Sequence, residues 1–126
     1  MSKKIFLLID DDPIISLVHQ EVILNTYSNA EVIRANTGDE ALKKLKNSPS
    51  PHYIFLDINM PVMNGFAFLD KLLVNKPEFM RFTKVILVTS SVNPLDIDRS
   101  KQYECVIDFV SKPLTRSYMT QLLSKA

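Results

Sequence analysis

Cysteine is almost absent from this chain: Cys105 is the only one. It can neither close an internal disulfide nor furnish a cysteine-rich metal cage, which fits a reducing compartment, and it reads as a small half-buried side chain. An excess of one charge is also missing. The 15 lysines and arginines and the 14 aspartates and glutamates are dispersed along the sequence, so neither a nucleic-acid footprint nor a membrane-surface patch is indicated. Long apolar runs are missing too. Between Lys3-Lys4 and Asp10-Asp11-Asp12 only five apolar residues occur, too few for a signal peptide or a transmembrane span. With no repeat and no low-complexity segment, the expectation is a cytoplasmic protein whose partners are proteins or small ions.

The 126 residues suit one domain. Apolar runs of strand length alternate with helix-length amphipathic stretches, an order that predicts an α/β fold with a parallel sheet covered on both faces. Strands are expected at about 5–9, 31–35, 53–57, 85–88 and 106–110. A first helix is capped by Asp12, starts at Pro13 and runs to about Leu24. Thr37-Gly38-Asp39-Glu40 has the form of a capping box opening a helix through Leu45. Gly65 to about Val74 carries Phe66, Leu69, Leu72 and Leu73 at helical spacing, followed by an irregular segment from Pro77 to Thr83. Pro94 starts another helix. A last one, beginning near Leu114, places Leu114, Tyr118, Met119, Leu122 and Leu123 on one stripe.

The strand ends carry the chemistry. Ile5–Ile9 runs into Asp10 and Asp11, Tyr53–Leu56 into Asp57, Val85–Val88 into Thr89, and Val106–Val110 toward Lys112. In an open α/β sheet, ligands collect outside the carboxyl ends of the strands, where strand order reverses. Carboxylates brought within about 4 to 6 Å repel by several kcal/mol at an effective dielectric of about 20, so the acids call for a cation. Mg²⁺ is the natural choice, because it takes oxygen ligands and retains waters; soft metals are disfavoured, since His19 and His52 fall at no strand end. A carboxylate oxygen of Asp57 can then attack a phosphoryl group, while Lys112 offers a point charge and Thr89 a hydroxyl to the phosphoryl oxygens. Asp12 is accounted for as a helix cap, and His19 as a satisfied, partly buried histidine. Gly65 and Pro61 shape the loop after Asp57.

Taken together, the acid pair, Asp57-Ile58-Asn59-Met60-Pro61 with Gly65, Thr89 followed by a small residue, and Lys112-Pro113 resemble the receiver domain of two-component response regulators, over essentially the whole chain. The resemblance implies a flavodoxin-like, doubly wound five-stranded sheet of order 2-1-3-4-5 with five helices. It implies Asp57 as phosphoacceptor, Asp10, Asp11, Asp57 and the Asn59 backbone carbonyl as Mg²⁺ ligands, and Lys112 as the phosphate-contacting lysine. Thr89 is implied as the switch hydroxyl and Phe109 as the aromatic switch, moving the surface of the helix from Pro94, the last strand and the last helix. The stretch from Thr89 to Lys112 is about one residue longer than expected, which leaves Ser90 as a competing switch hydroxyl.

The implied partners are a sensor histidine kinase or histidine phosphotransfer protein upstream and an unknown protein downstream. With a single domain over 1–126 and no effector domain expected, output acts in trans, from a monomer or a phosphorylation-dependent dimer, and the protein is not an enzyme. Two alternatives stand beside this: a phosphatase with an aspartyl nucleophile, for which Asn59 lacks the carboxylate of a general acid, and a receiver-shaped scaffold that is never phosphorylated. Ile14 and Leu17 lie outside the core stripe of the first helix and hint at a contact.

Overall fold

The computed structural model describes residues 2–125. The strands are β1 (Lys4–Ile9), β2 (Ala30–Ala35), β3 (Tyr53–Asp57), β4 (Lys84–Thr89) and β5 (Val106–Ser111). The helices are α1 (Pro13–Thr26), α2 (Gly38–Lys46), α3 (Gly65–Asn75), α4 (Phe79–Phe82), α5 (Pro94–Ser100) and α6 (Arg116–Ser124). All strand pairs are parallel and the order is β2-β1-β3-β4-β5, so strand order reverses between β1 and β3, the strands that end at Asp10 and Asp57. No helix among the described residues is long and apolar enough to cross a membrane.

Side-chain alternation divides the core. Phe6, Leu8, Tyr53, Phe55, Ile86 and Val88 point to the face shared with α1 and α6, where they meet Ile23, Met119 and Leu122. Leu7, Ile9, Ile54, Leu56, Val85 and Leu87 point to the other, against Ala41 and Leu45 of α2 and Phe66, Leu69 and Leu72 of α3. Both faces of the middle strand β3 are buried, as expected where helices cover a parallel sheet on both sides.

Local chemistry sets the helix starts. Asp12 accepts from the amides of Ile14 and Ile15, with Pro13 in the first turn where no amide is needed. Thr37 accepts from Glu40 N at 3.0 Å. The Glu40 carboxylate accepts from Asn36 N at 2.6 Å, one residue before the position a capping box prescribes, and this bond pulls its pKa down.

Four details depart from the sequence reading. The 77–83 segment contains the single turn α4, because Phe79 is buried and Thr83 ties the segment to Pro51 O; it is an addition to the five principal helices. In α3 Phe68 is fully buried, whereas Leu73 is only half-buried. The last helix starts at Arg116, since Thr115 accepts from Tyr118 N and caps it; Leu114 precedes the helix and stays buried. Cys105 is buried outright rather than half-buried, and burial raises its pKa.

Candidate functional site

Asp10 follows β1 and Asp57 closes β3, side by side at the switch point. Both are nearly inaccessible, at 5% and 3% of full exposure. Asp11 is exposed at the mouth, and carboxylate oxygens of Asp10, Asp11 and Asp57 lie within 4.8 Å of one another. Lys112 Nζ reaches in from beyond β5 to Asp10 Oδ2 at 2.7 Å and Asp57 Oδ2 at 3.2 Å. Asp10 Oδ1 also accepts from Asp12 N at 2.9 Å, and Asp57 Oδ1 from Asn59 N at 3.2 Å.

The charges are unbalanced, and protonation shows it. Burial first and the Asp10 charge second raise the pKa of Asp57 to about 6, with the Lys112 ammonium and the Asn59 amide offsetting only part of the rise. For Lys112 burial acts in the opposite direction, yet the bond to Asp10 and the charges of Asp10 and Asp57 prevail and its pKa rises. Its ion pair with Asp57 therefore holds the lysine charged without holding the aspartate fully ionised. Three carboxylates facing one ammonium, with no histidine or cysteine among them, form an all-oxygen donor set suited to a small hard cation such as Mg²⁺.

The loop after Asp57 is pinned from below. A Cβ added at Gly65 would lie 2.7 Å from Asp57 O and 3.0 Å from Ile58 Cα, backbone atoms that cannot yield, and Gly65 N donates to Ile58 O. Only glycine permits this approach. At the tip of the loop, Val62 is fully exposed with φ +69°, and Met63 N donates to Pro61 O across it. This is a γ-turn of the strained, positive-φ kind.

Alternation places the remaining site residues. Lys112 and Ser90 share strand parity with Val110 and Val88, on the α1/α6 side with Asp57; Thr89 and Phe109 fall on the opposite parity. Thr89 is wholly buried. Its Oγ1 donates to Ser91 O at 3.0 Å and accepts from Asn59 Nδ2 and Ser91 N, both at 3.2 Å. Ser90 is exposed and lines an open cleft of about 500 Å³ with Asp11, Asp57, Asn59 and Lys112. Between Thr89 and Lys112 the strand pairing shifts once: Val85 pairs with Val106 but Ile86 with Asp108, so β5 bulges at Ile107. Downstream the register is regular, with Leu87 opposite Phe109 and Thr89 opposite Ser111. Thr89 and half-buried Phe109 therefore stand on one face of adjacent strands.

His19 is the site neighbour whose role the sequence did not reveal. It is buried on α1, and its Nε2 accepts from Leu114 N at 3.1 Å, bracing the Lys112-Pro113-Leu114 turn from below. The two residues are 95 positions apart, and no local pattern joins them. Burial lowers the His19 pKa against the pull of Asp10, with Lys112 adding to the fall. Tyr118 is half-buried and donates to Asp108 Oδ2 at 2.7 Å; burial and that carboxylate move its pKa far upward.

Comparison with known proteins gives one consistent family. Residues 6–124 match the response regulator receiver domain. Over 94% of its length the chain is 31% identical to hybrid signal transduction histidine kinase L of Dictyostelium discoideum, of which it spans 7%. A two-component response regulator from Cytophaga hutchinsonii has a solved structure that superposes with a TM-score of 0.89 at 31% identity, covering 98% of this chain and 97% of that one. The chemotaxis protein CheY4 of Vibrio cholerae has the same fold, with a TM-score of 0.82 at 24% identity and 98% of both chains covered.

Proposed function

This chain belongs to the response regulator receiver domain family, and from that premise we propose that it is a phosphorylation-activated switch that accepts a phosphoryl group on Asp57. The donor is the phosphohistidine of a sensor histidine kinase or of a histidine phosphotransfer protein. An Asp57 oxygen attacks phosphorus, the P–N bond to the donor imidazole breaks, and its electron pair returns to the ring. The observation that carries this reading is the Lys112 ammonium bridging Asp10 and Asp57 beside a third carboxylate.

Asp10, Asp11, Asp57 and the Asn59 carbonyl are the groups that would hold Mg²⁺. The ion supplies charge neutralisation to the phosphoryl oxygens and the crowded carboxylates. Lys112, already at Asp57, contacts a phosphoryl oxygen and exchanges one anionic partner for another. Thr89 must leave Ser91 O and Asn59 to bond the phosphoryl group, and Phe109 on the same face takes up the space released. The α5, β5 and α6 surface then shifts between two packings, with the phosphoryl group favouring one.

Asn59 stands where a phosphatase acting through an aspartyl nucleophile needs a general acid, so a signalling role is favoured over turnover of phosphate monoesters. Output through a downstream protein in trans and a cytoplasmic site of action complete the proposal. Intact-mass measurement after incubation with acetyl phosphate and Mg²⁺ tests it: one phosphoryl group should be gained, Mg²⁺-dependently, and lost in Asp57→Asn. No gain, or a gain that survives Asp57→Asn, overturns it.

A further inference from the structure

A sizeable groove lies away from the acidic site. A groove of about 650 Å³ runs between α2 and α3, with Leu42, Leu45 and Leu72 along its floor and Lys43, Lys46 and Lys76 on its walls. A second groove continues it past Leu42 and Asn75 to Lys71 and Val74, and Val74 is 80% exposed. Both helices run antiparallel to the strands, so the turns carrying Lys46 and Lys76 lie at the sheet edge opposite Asp57.

The charges here are distinctive. Most other lysines of the fold, Lys125 at the end of α6 apart, have companions: Lys3 pairs with Glu31, Lys44 with Glu40 and Lys101 with Asp98, and Lys112 serves the acidic site; Lys4 and Lys84 lie over tyrosine rings, and Lys76 donates to Leu45 O and lies over the Phe79 ring. Lys43, Lys46 and Lys71 have no ion pair, hydrogen bond or ring contact among the described residues, and all three border this one feature. Of the two acids that line it, Asp39 sits in the first turn of α2, and Asp70 accepts from Tyr103 OH and faces Arg99. Complementing the α2 macrodipole accounts for Lys43 and Lys46 in its last turn; it does not account for Lys71, which is inside α3. Nor does it account for an exposed valine beside an apolar floor.

We propose that the α2–α3 groove docks an acidic amphipathic peptide segment of a partner protein, whose apolar side chains cover Leu42 and Val74 while its carboxylates meet Lys43, Lys46 and Lys71. An inorganic anion would leave the leucine floor unused, and a neutral apolar helix would leave three ammonium groups uncompensated. Both components are needed for the fit, as in helix-in-groove recognition with charged flanks. The interaction is independent of the phosphoryl chemistry and leaves the mouth at Asp57 open.

The test uses the full chain labelled with ¹⁵N and a synthetic helical peptide with a leucine stripe flanked by glutamates. Controls are a twin with lysines for glutamates and a leucine-free polyglutamate of equal length. The acidic amphipathic peptide should perturb α2 and α3 amides, bind about tenfold or more weakly to Lys43→Glu/Lys46→Glu, and weaken steeply with salt. Val74→Ser should weaken it several-fold without changing charge. Both variants should still take up one phosphoryl group from acetyl phosphate, which shows the fold intact. Equal binding of the polyglutamate reduces the feature to a general electrostatic patch; it overturns the proposal, as does no binding or perturbation mapping to α1 or α5.

Discussion

Asn59 Nδ2 donates to Thr89 Oγ1 at 3.2 Å, joining the loop after Asp57 to the hydroxyl that the proposed switch must move. Thr89 Oγ1 also donates to Ser91 O, and both bonds would have to break for the hydroxyl to turn toward Asp57. Asn59→Ala removes one bond worth about 0.5–1.5 kcal/mol net and should bias Thr89 and Phe109 toward the switched packing. Titration with beryllofluoride, a phosphoryl mimic, in the presence of Mg²⁺ should saturate at several-fold lower concentration in the variant, read from Phe109 ring resonances. An unchanged midpoint would remove Asn59 as a restraint.

Asp57 carries an electrostatic cost that depends on pH. Its folded pKa of about 6 lies above the ordinary 3.8, so the folded chain holds this proton more tightly than the unfolded one. The resulting stabilisation is full below about pH 4 and is lost as pH rises through 6. In Mg²⁺-free buffer, Asp57→Asn should therefore raise stability at pH 7.5 by on the order of 1–2 kcal/mol and flatten the profile between pH 4 and 7, as measured by urea denaturation. A variant less stable than the parent at pH 7.5 would contradict the geometry.

His19 acts in the other direction. Its pKa is lowered from 6.5 by burial, so the unfolded chain binds the proton more tightly and the contribution of neutral His19, present above about pH 6.5, is lost as pH falls. The groups facing it are Asp10, which opposes this, and Lys112, which adds to it. Within the Asp57→Asn background, His19→Gln keeps an acceptor for Leu114 N and removes the titration. Thermal unfolding from pH 7.5 to 5 should lose less stability in this variant than in its parent; equal losses would remove the assignment.

Val62 is a β-branched residue on positive-φ backbone, a conformation that costs about 1 kcal/mol or more. Asparagine is enriched at positive φ among non-glycine residues and does not bring the added chain entropy of glycine. Val62→Asn should raise Tm by about 3 °C for a chain of this size, with phosphoryl uptake retained. A lower Tm would show that the exposed valine side chain, not the backbone, dominates at this position.

Much of this molecule is written in short-range signals. The burial of β3 follows from an unbroken apolar run, the start of α1 from Asp12 and Pro13, and the position of Asp57 from a strand stopping where a Pro- and Gly-bearing loop begins. The bulge in β5 was not visible. Pairing with β4 puts it at Ile107, and the regular register beyond it keeps Thr89 and Phe109 on one face. The irregular segment after Pro77 gained its helical turn only because Phe79 found a place in the core.

The amino-acid order alone determined the alternation of strands and helices, the parallel sheet and the acids, hydroxyl and lysine at the strand ends, because periodicity and capping act over a few residues. Tertiary structure decided which groups meet: Lys112 between Asp10 and Asp57, Asn59 on Thr89, His19 under Leu114, and unpartnered lysines along the α2–α3 groove. Those contacts join distant segments, and their distances, burial and charge coupling exist only once the sheet has closed its register.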